Sequence, residues 1–165
     1  MKNTKAYFFH GLESSLPSSK VDVMKSLGWE VGAHPMNYNG RQPYKTALSY
    51  VSEFQPDIII GSSLGGLTAR YMSTYLNLPA ILLNPAFSFK NYQVDFPNDF
   101  GQFKPRFWAL LGENDEVVNF SQNKLEMEKI GASIFVNTHG HRTPAAIFSD
   151  FLQKNLLEIE TSVIK

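Results

Sequence analysis

Six short apolar runs are spaced along this chain so that most neighbouring pairs leave room for one helix between them. They are Ala6-Tyr7-Phe8-Phe9-His10, Trp29-Glu30-Val31-Gly32-Ala33, Asp57-Ile58-Ile59-Ile60, Ala80-Ile81-Leu82-Leu83-Asn84, Phe107-Trp108-Ala109-Leu110-Leu111 and Ser133-Ile134-Phe135-Val136-Asn137. Four of them are almost continuously apolar, which is how a strand buried on both faces reads. The intervening stretches carry helical spacing. Tyr44, Ala47, Leu48, Val51 and Phe54 line one face of a helix. Ile147, Phe148, Phe151, Leu152 and Leu156 line another, with Pro144 near its start, where a missing N–H does no harm. Residues 17–27, 64–75 and 121–130 read as three more. Strand–helix alternation over the whole length needs right-handed crossovers. It predicts an α/β fold, a mostly parallel six-stranded sheet with helices on both faces. Ligands of such sheets sit at the carboxyl ends of the strands. The residues just after each strand are therefore the ones to inspect.

Size and composition narrow the chemistry. The 165 residues suit one domain, and no repeat or linker divides them, so 1–165 is read as a single domain. A chain of this size buries about 70% of its unfolded surface and needs no disulfide or metal to fold. The absence of cysteine excludes a thiol nucleophile, a CxxC redox pair, a thiolate zinc site and an iron–sulfur cluster. Fifteen Lys and Arg balance fifteen Asp and Glu, with no basic block. That argues against nucleic acid or an anionic membrane as the main partner, and it gives no sign of steering towards a charged substrate. Only five residues, Ala6 to His10, stand between Lys5 and Gly11, too few for a signal-peptide core. No apolar run approaches the roughly 18 residues of a membrane span. A cytoplasmic protein is expected.

The third strand runs into Gly61-Ser62-Ser63-Leu64-Gly65-Gly66 and then a helix. Gly61-x-Ser63-x-Gly65 is the nucleophile-elbow pattern in its required context of strand, sharp turn and helix. The plain alternative is a Gly/Ser turn that only packs strand against helix. Other glycine-rich chemistries fail, because the loop lacks the Lys-Ser/Thr pair of a P-loop and the GxGxxG of a dinucleotide site. A serine hydroxyl needs a base, and the base an orienting acid. Gly112-Glu113-Asn114-Asp115-Glu116-Val117-Val118 follows the fifth strand and Thr138-His139-Gly140-His141-Arg142 the sixth. The order Ser, acid, His, each after a strand, is the one this fold uses. Asp115 is the predicted acid, with Glu113 and Glu116 as rivals. His141 is the predicted base, with His139 as competitor. The His-x-His spacing also admits a metal site, but no third and fourth ligand stand close in sequence, so no metal or cofactor is expected.

An oxyanion needs N–H donors. The Leu64 amide follows the nucleophile. The Leu12 amide lies in the loop after the first strand, which Gly11 allows to turn back towards Ser63. His10 reads as an organiser of that loop. The segment from Asn84 to Pro105 carries Phe87, Phe89, Tyr92, Phe96, Phe100 and Phe103 without a helical period. A loop of this length in a compact domain is usually functional, so 85–105 is a possible minimal cap. Phe87, Phe89 and Tyr92 would line an apolar pocket for short acyl chains; the alternative is that these aromatics simply cover the end of the sheet as core.

These residues resemble the α/β-hydrolases, and within them the YqiA-like small bacterial esterases, over nearly the whole chain. The resemblance rests on His10-Gly11-Leu12-Glu13-Ser14-Ser15 with Ser18-Ser19-Lys20, and on Ile60-Gly61-Ser62-Ser63-Leu64-Gly65-Gly66. It also rests on Leu83-Asn84-Pro85-Ala86, Gly112-Glu113-Asn114-Asp115-Glu116-Val117 and Gly140-His141. It implies a serine esterase acting on a small acyl-ester substrate through an acyl-enzyme, with Ser63 as nucleophile, Asp115 as acid and His141 as base. Thioesterase, amidase and acyltransferase chemistry share this triad. Two readings from other classes compete. One is a ligand-binding or interaction module that kept the fold without turnover. The other is a phosphate site at the helix N-terminus, against which the lack of a Lys or Arg on the GSSLGG loop counts.

Overall fold

The computed structural model describes residues 3–88 and 103–164. Six strands, β1 (Lys5–Phe9), β2 (Glu30–Ala33), β3 (Ile58–Ser62), β4 (Ala80–Leu83), β5 (Phe107–Gly112) and β6 (Ser133–Asn137), form one sheet in the order β2-β1-β3-β4-β5-β6. Every pairing is parallel. The helices among the described residues are α1 (Ser19–Ser26), α2 (Pro43–Phe54), α3 (Leu64–Leu76), α4 (Phe120–Lys129) and α5 (Ala145–Val163). The predicted elements are all present, with ends moved by a residue or two. The last helix runs further than its apolar face to Leu156 implied, because Ile159 continues the stripe into the core at 0% exposure.

The period-two geometry of strands divides the sheet's side chains into two cores. Tyr7, Phe9, Ile59, Leu82, Ala109 and Leu111 face α2, α3 and α4. Phe8, Ile58, Ile60, Ile81, Leu83, Trp108 and Leu110 face the other way, onto Met24 of α1 and Phe148, Phe151 and Leu152 of α5. The four most apolar runs are the four central strands. The other two, β2 and β6, are the edges, where burial is incomplete.

Strand order also places the site. The chain lays β2 to one side of β1, then returns to place β3 on the other. The loop after β1 consequently leads to α1 on one face, and the loop after β3 to α3 on the opposite face. Two loops that part in this way leave a crevice at the strand ends between them. Gly11 and Leu12 lie on one of them and Ser63 on the other.

Candidate active site

Ser63 ends the turn between β3 and α3 with φ 58° and ψ −121°, a left-handed backbone that strains any residue with a Cβ. Two glycines make the turn possible. A Cβ on Gly61 would lie 2.0 Å from the Gly65 carbonyl oxygen, and one on Gly65 would lie 2.1 Å from the Phe9 carbonyl oxygen. Helix α3 therefore starts almost in backbone contact with β1 and β3, and Ser63 is lifted above the sheet. The Ser63 N–H donates to the Leu83 carbonyl at 2.9 Å, and its own carbonyl accepts from Ala86 at 2.9 Å. These bonds fix the turn to the end of β4.

The structure brings Ser63, His141 and Asp115 together from the ends of β3, β6 and β5. His141 Nε2 lies 2.7 Å from Ser63 Oγ. On the other side of the ring, Nδ1 lies 2.9 Å from Asp115 Oδ2 and 3.0 Å from Oδ1. The carboxylate can only accept, so Nδ1 carries a proton and Nε2 is left to accept from the serine. Asp115 Oδ1 also accepts from the Val117 and Val118 amides, each at 2.8 Å. Its side chain is 2% exposed. Buried and held by three donors, it has one orientation.

The rivals have other partners. Glu116 accepts the His141 backbone N–H at 3.0 Å, so it holds the histidine loop and does not reach the ring. That bond and one from its own amide hold its carboxyl below the ordinary value. Glu113 is exposed. His139 is buried and is not part of the cavity lining beside Ser63, its Nε2 lying 3.3 Å from Thr143 Oγ1 and 3.4 Å from Asn84 Nδ2. Burial pushes its pKa down, and the charge of Lys20 adds to the effect against the opposing pull of Asp115. His10 donates from Nδ1 to the Gly11 carbonyl at 2.7 Å and accepts the Met36 amide on Nε2 at 2.8 Å. Both nitrogens are used in shaping the loop.

One residue that sequence reasoning left without a role is Asn84. It is 1% exposed, and its Nδ2 donates to the carbonyls of Gly140 at 3.0 Å and His141 at 2.8 Å. Its Oδ1 accepts the Gly112 amide at 2.8 Å. One side chain thus ties the end of β4 to the end of β5 and to the histidine loop. The signal was present in the Leu83-Asn84-Pro85-Ala86 stretch, but nothing in a linear spacing names its partners.

A cavity of about 350 Å³ opens over Ser63, and its lining includes Leu12, Leu64, Ala86, Val117 and His141. Leu64 opens α3, and N–H groups of a first helical turn have no intrahelical partner. Gly11 brings the Leu12 loop close: a Cβ there would lie 3.1 Å from the Ser63 Cβ. The expected pocket aromatics fare differently. Phe87 is placed elsewhere, 3% exposed in the α3 and α4 core with the Arg70 guanidinium 4.6 Å over its ring. The Ala86 N–H, one residue earlier, donates to the Ser63 carbonyl at 2.9 Å. Phe89 and Tyr92, and most of the predicted cap, lie outside the described residues.

Residues 6–98 match the model of a family described as Uncharacterised protein family (UPF0227). Among solved structures, the ydeN gene product of B. subtilis superposes with a TM-score of 0.67 at 19% identity, over 96% of this chain and 100% of that one. An esterase domain from a Rhodothermus marinus protein does so with 0.68 at 12%, covering 97% and 86%. An alpha-beta serine hydrolase homologue from Coxiella burnetii gives 0.62 at 16%, covering 98% and 84%. At these identities the likeness is one of fold, and the fold is that of the α/β-hydrolases. Among the described residues no helix is long and apolar enough to cross a membrane.

Proposed function

Because the chain belongs to the UPF0227 family and has the α/β-hydrolase fold, we propose that it is a serine hydrolase of small carboxylic esters or thioesters, working through Ser63, His141 and Asp115. The observation that carries this reading is the unbroken hydrogen-bonded line from Asp115 through His141 to Ser63 Oγ, on a strained turn under an open cavity. Ser63 Oγ attacks the acyl carbonyl as His141 Nε2 takes its proton. Asp115 keeps the proton on Nδ1 and stabilises the imidazolium that forms. The Leu12 and Leu64 amides receive the oxyanion, a contribution typically worth about 10²–10³ in rate per donor. His141 then gives the proton to the leaving group, and water releases the acyl chain by the reverse sequence. The modest cavity suits short acyl chains, and the absence of cysteine suits a reducing compartment such as the cytoplasm. The esterase and serine hydrolase homologue of like fold support the reaction class.

The test is a fluorophosphonate probe with mass-spectrometric mapping, run beside p-nitrophenyl esters from acetyl to octanoyl. We expect labelling at Ser63 and a loss of kcat of about 10⁴-fold or more in both Ser63→Ala and His141→Ala. His139→Ala should retain labelling. A protein that neither takes the probe nor turns over an ester is a binding module on a hydrolase fold.

A further inference from the structure

The cavity over Ser63 is not electrically neutral. Lys20, the second residue of α1, lines it together with Arg142, which follows the catalytic histidine of the proposed triad. Glu13 is the acidic residue on the same lining, and it is exposed. Among the described residues neither Lys20 nor Arg142 makes an ion pair, although exposed lysines elsewhere on the chain do so with Glu126, Glu128 and Asp150. The nearby acids have other partners: Asp115 is bound to His141 and two amides, and Glu116 to the His141 amide. Lys20 is half-buried, so its ammonium has given up part of its water without gaining a counter-ion. Burial and the nearness of Arg142 both hold its pKa below the ordinary lysine value. Two cations set close at the mouth of a reaction site repel each other, and an anion between them removes that cost while accepting their hydrogen bonds.

We propose that Lys20 and Arg142 form an anion subsite beside Ser63, and that the substrate is an ester or thioester carrying a carboxylate or phosphate within the same cavity as its scissile carbonyl. This rests on the reading of Ser63 as nucleophile. It also revises the expectation drawn from the balanced net charge. A whole-chain sum of zero averages over the surface and says nothing about two cations gathered on one wall.

The experiment compares kcat/KM on four butyryl-type esters. One is neutral p-nitrophenyl butyrate, and one is mono-p-nitrophenyl glutarate, with a carboxylate on the acyl side. The other two are 4-butyryloxybenzoate and 4-(phosphonooxy)phenyl butyrate, with a carboxylate or a phosphate on the leaving group. Each is assayed on the wild type, Lys20→Met, Arg142→Met and Lys20→Arg. At least one anionic ester should lead the neutral one, each compared with its methyl-capped counterpart to remove differences in leaving group. That lead should fall about tenfold or more in each Met variant, the effect of one charge-assisted hydrogen bond. It should survive largely in Lys20→Arg and shrink with added salt. Which ester leads identifies the headgroup and the side it occupies. Variants that slow all four esters alike, or a wild type indifferent to charge, overturn the subsite. If no ester is turned over and Ser63 takes no probe, the hydrolase reading has failed separately. The subsite is then judged by calorimetry with inorganic phosphate and glutarate. Binding at least tenfold weaker in the Lys20→Met, Arg142→Met double variant upholds it, and equal or absent binding sinks it.

Discussion

Asn84 sits at φ 40° with its amide used at both ends, and the consequences of removing it can be separated. Asn84→Ala leaves the Gly112 N–H and the carbonyls of Gly140 and His141 without their partner. Each buried orphan costs about 1–3 kcal/mol, less whatever water recovers, so a loss of roughly 2–4 kcal/mol in urea unfolding is expected. The loop that carries His141 loosens at the same time. A misplacement of the base by about 1 Å is enough for a roughly 10²-fold fall in turnover. Asn84→Gly loses the same bonds but tolerates the left-handed backbone, so it should be about 1 kcal/mol more stable than Asn84→Ala with no better activity. Recovery of activity in the glycine variant would move the role of Asn84 from its amide to its backbone. At this scale the chain was partly legible. Ser63, Asp115 and His141 stand out because their order along the strands is itself a pattern. The choice between His139 and His141 depends on which ring faces the crevice, and two residues of spacing cannot say. Phe87 stayed open between pocket and core for a related reason: an aromatic in a loop is equally at home in either, and the core that takes it is built from residues distant in sequence.

Among the elements, the β3–α3 turn is the least tolerant of change. Gly65→Ala places a methyl group 2.1 Å from the Phe9 carbonyl oxygen, a backbone atom inside the sheet that cannot swing aside. Overpacking of this kind costs about 3 kcal/mol or more, and both urea unfolding and solubility should report it. Gly131 is the control. It has φ +70° but open space around its Cβ position, so Gly131→Ala should cost only the conformational penalty, about 1–2 kcal/mol. A Gly65→Ala protein as stable as Gly131→Ala would show that α3 can retreat from β1, and the close approach would then not be what shapes the elbow. The elements themselves were largely readable, because each is short and the two hydrophobic periods differ sharply. The order of the strands was not. Apolar runs say that a strand is buried on both faces, and so point to four central strands without giving their neighbours. The position of the crevice follows only once β2 is known to lie outside β1.

At the scale of the whole molecule, acid should weaken the fold before any carboxylate titrates. His139 and His34 are both held neutral by burial, with their pKa values below the ordinary histidine value. His10 adds its repulsion at His34 and Lys20 at His139, while Asp115 partly opposes the effect at His139. In the unfolded chain each titrates near 6.5. Between that value and the lower folded one, the unfolded state binds more protons than the native state, so stability rises with pH across the window. The contribution is complete above about 6.5 and is lost as pH falls towards the folded values. Glu116 acts in the same direction at lower pH, its carboxyl being held below 4.5. Its stabilisation is present above its unfolded value and is lost as the pH falls through its folded one. Urea midpoints should therefore be lower at about pH 5.5 than at about pH 7.5, a window in which the histidines change charge and most carboxylates do not. His139→Gln and His34→Gln each remove a group that must stay neutral in the native state. Both variants will lose some stability at the upper pH, since His139 has contacts with Thr143 and Asn84 and His34 receives the Tyr7 hydroxyl or donates to it at 2.9 Å. The decisive quantity is instead the gap between the two midpoints. It should narrow in each single variant and narrow further in the double one. A double variant that keeps the full gap would locate the acid sensitivity outside these two rings.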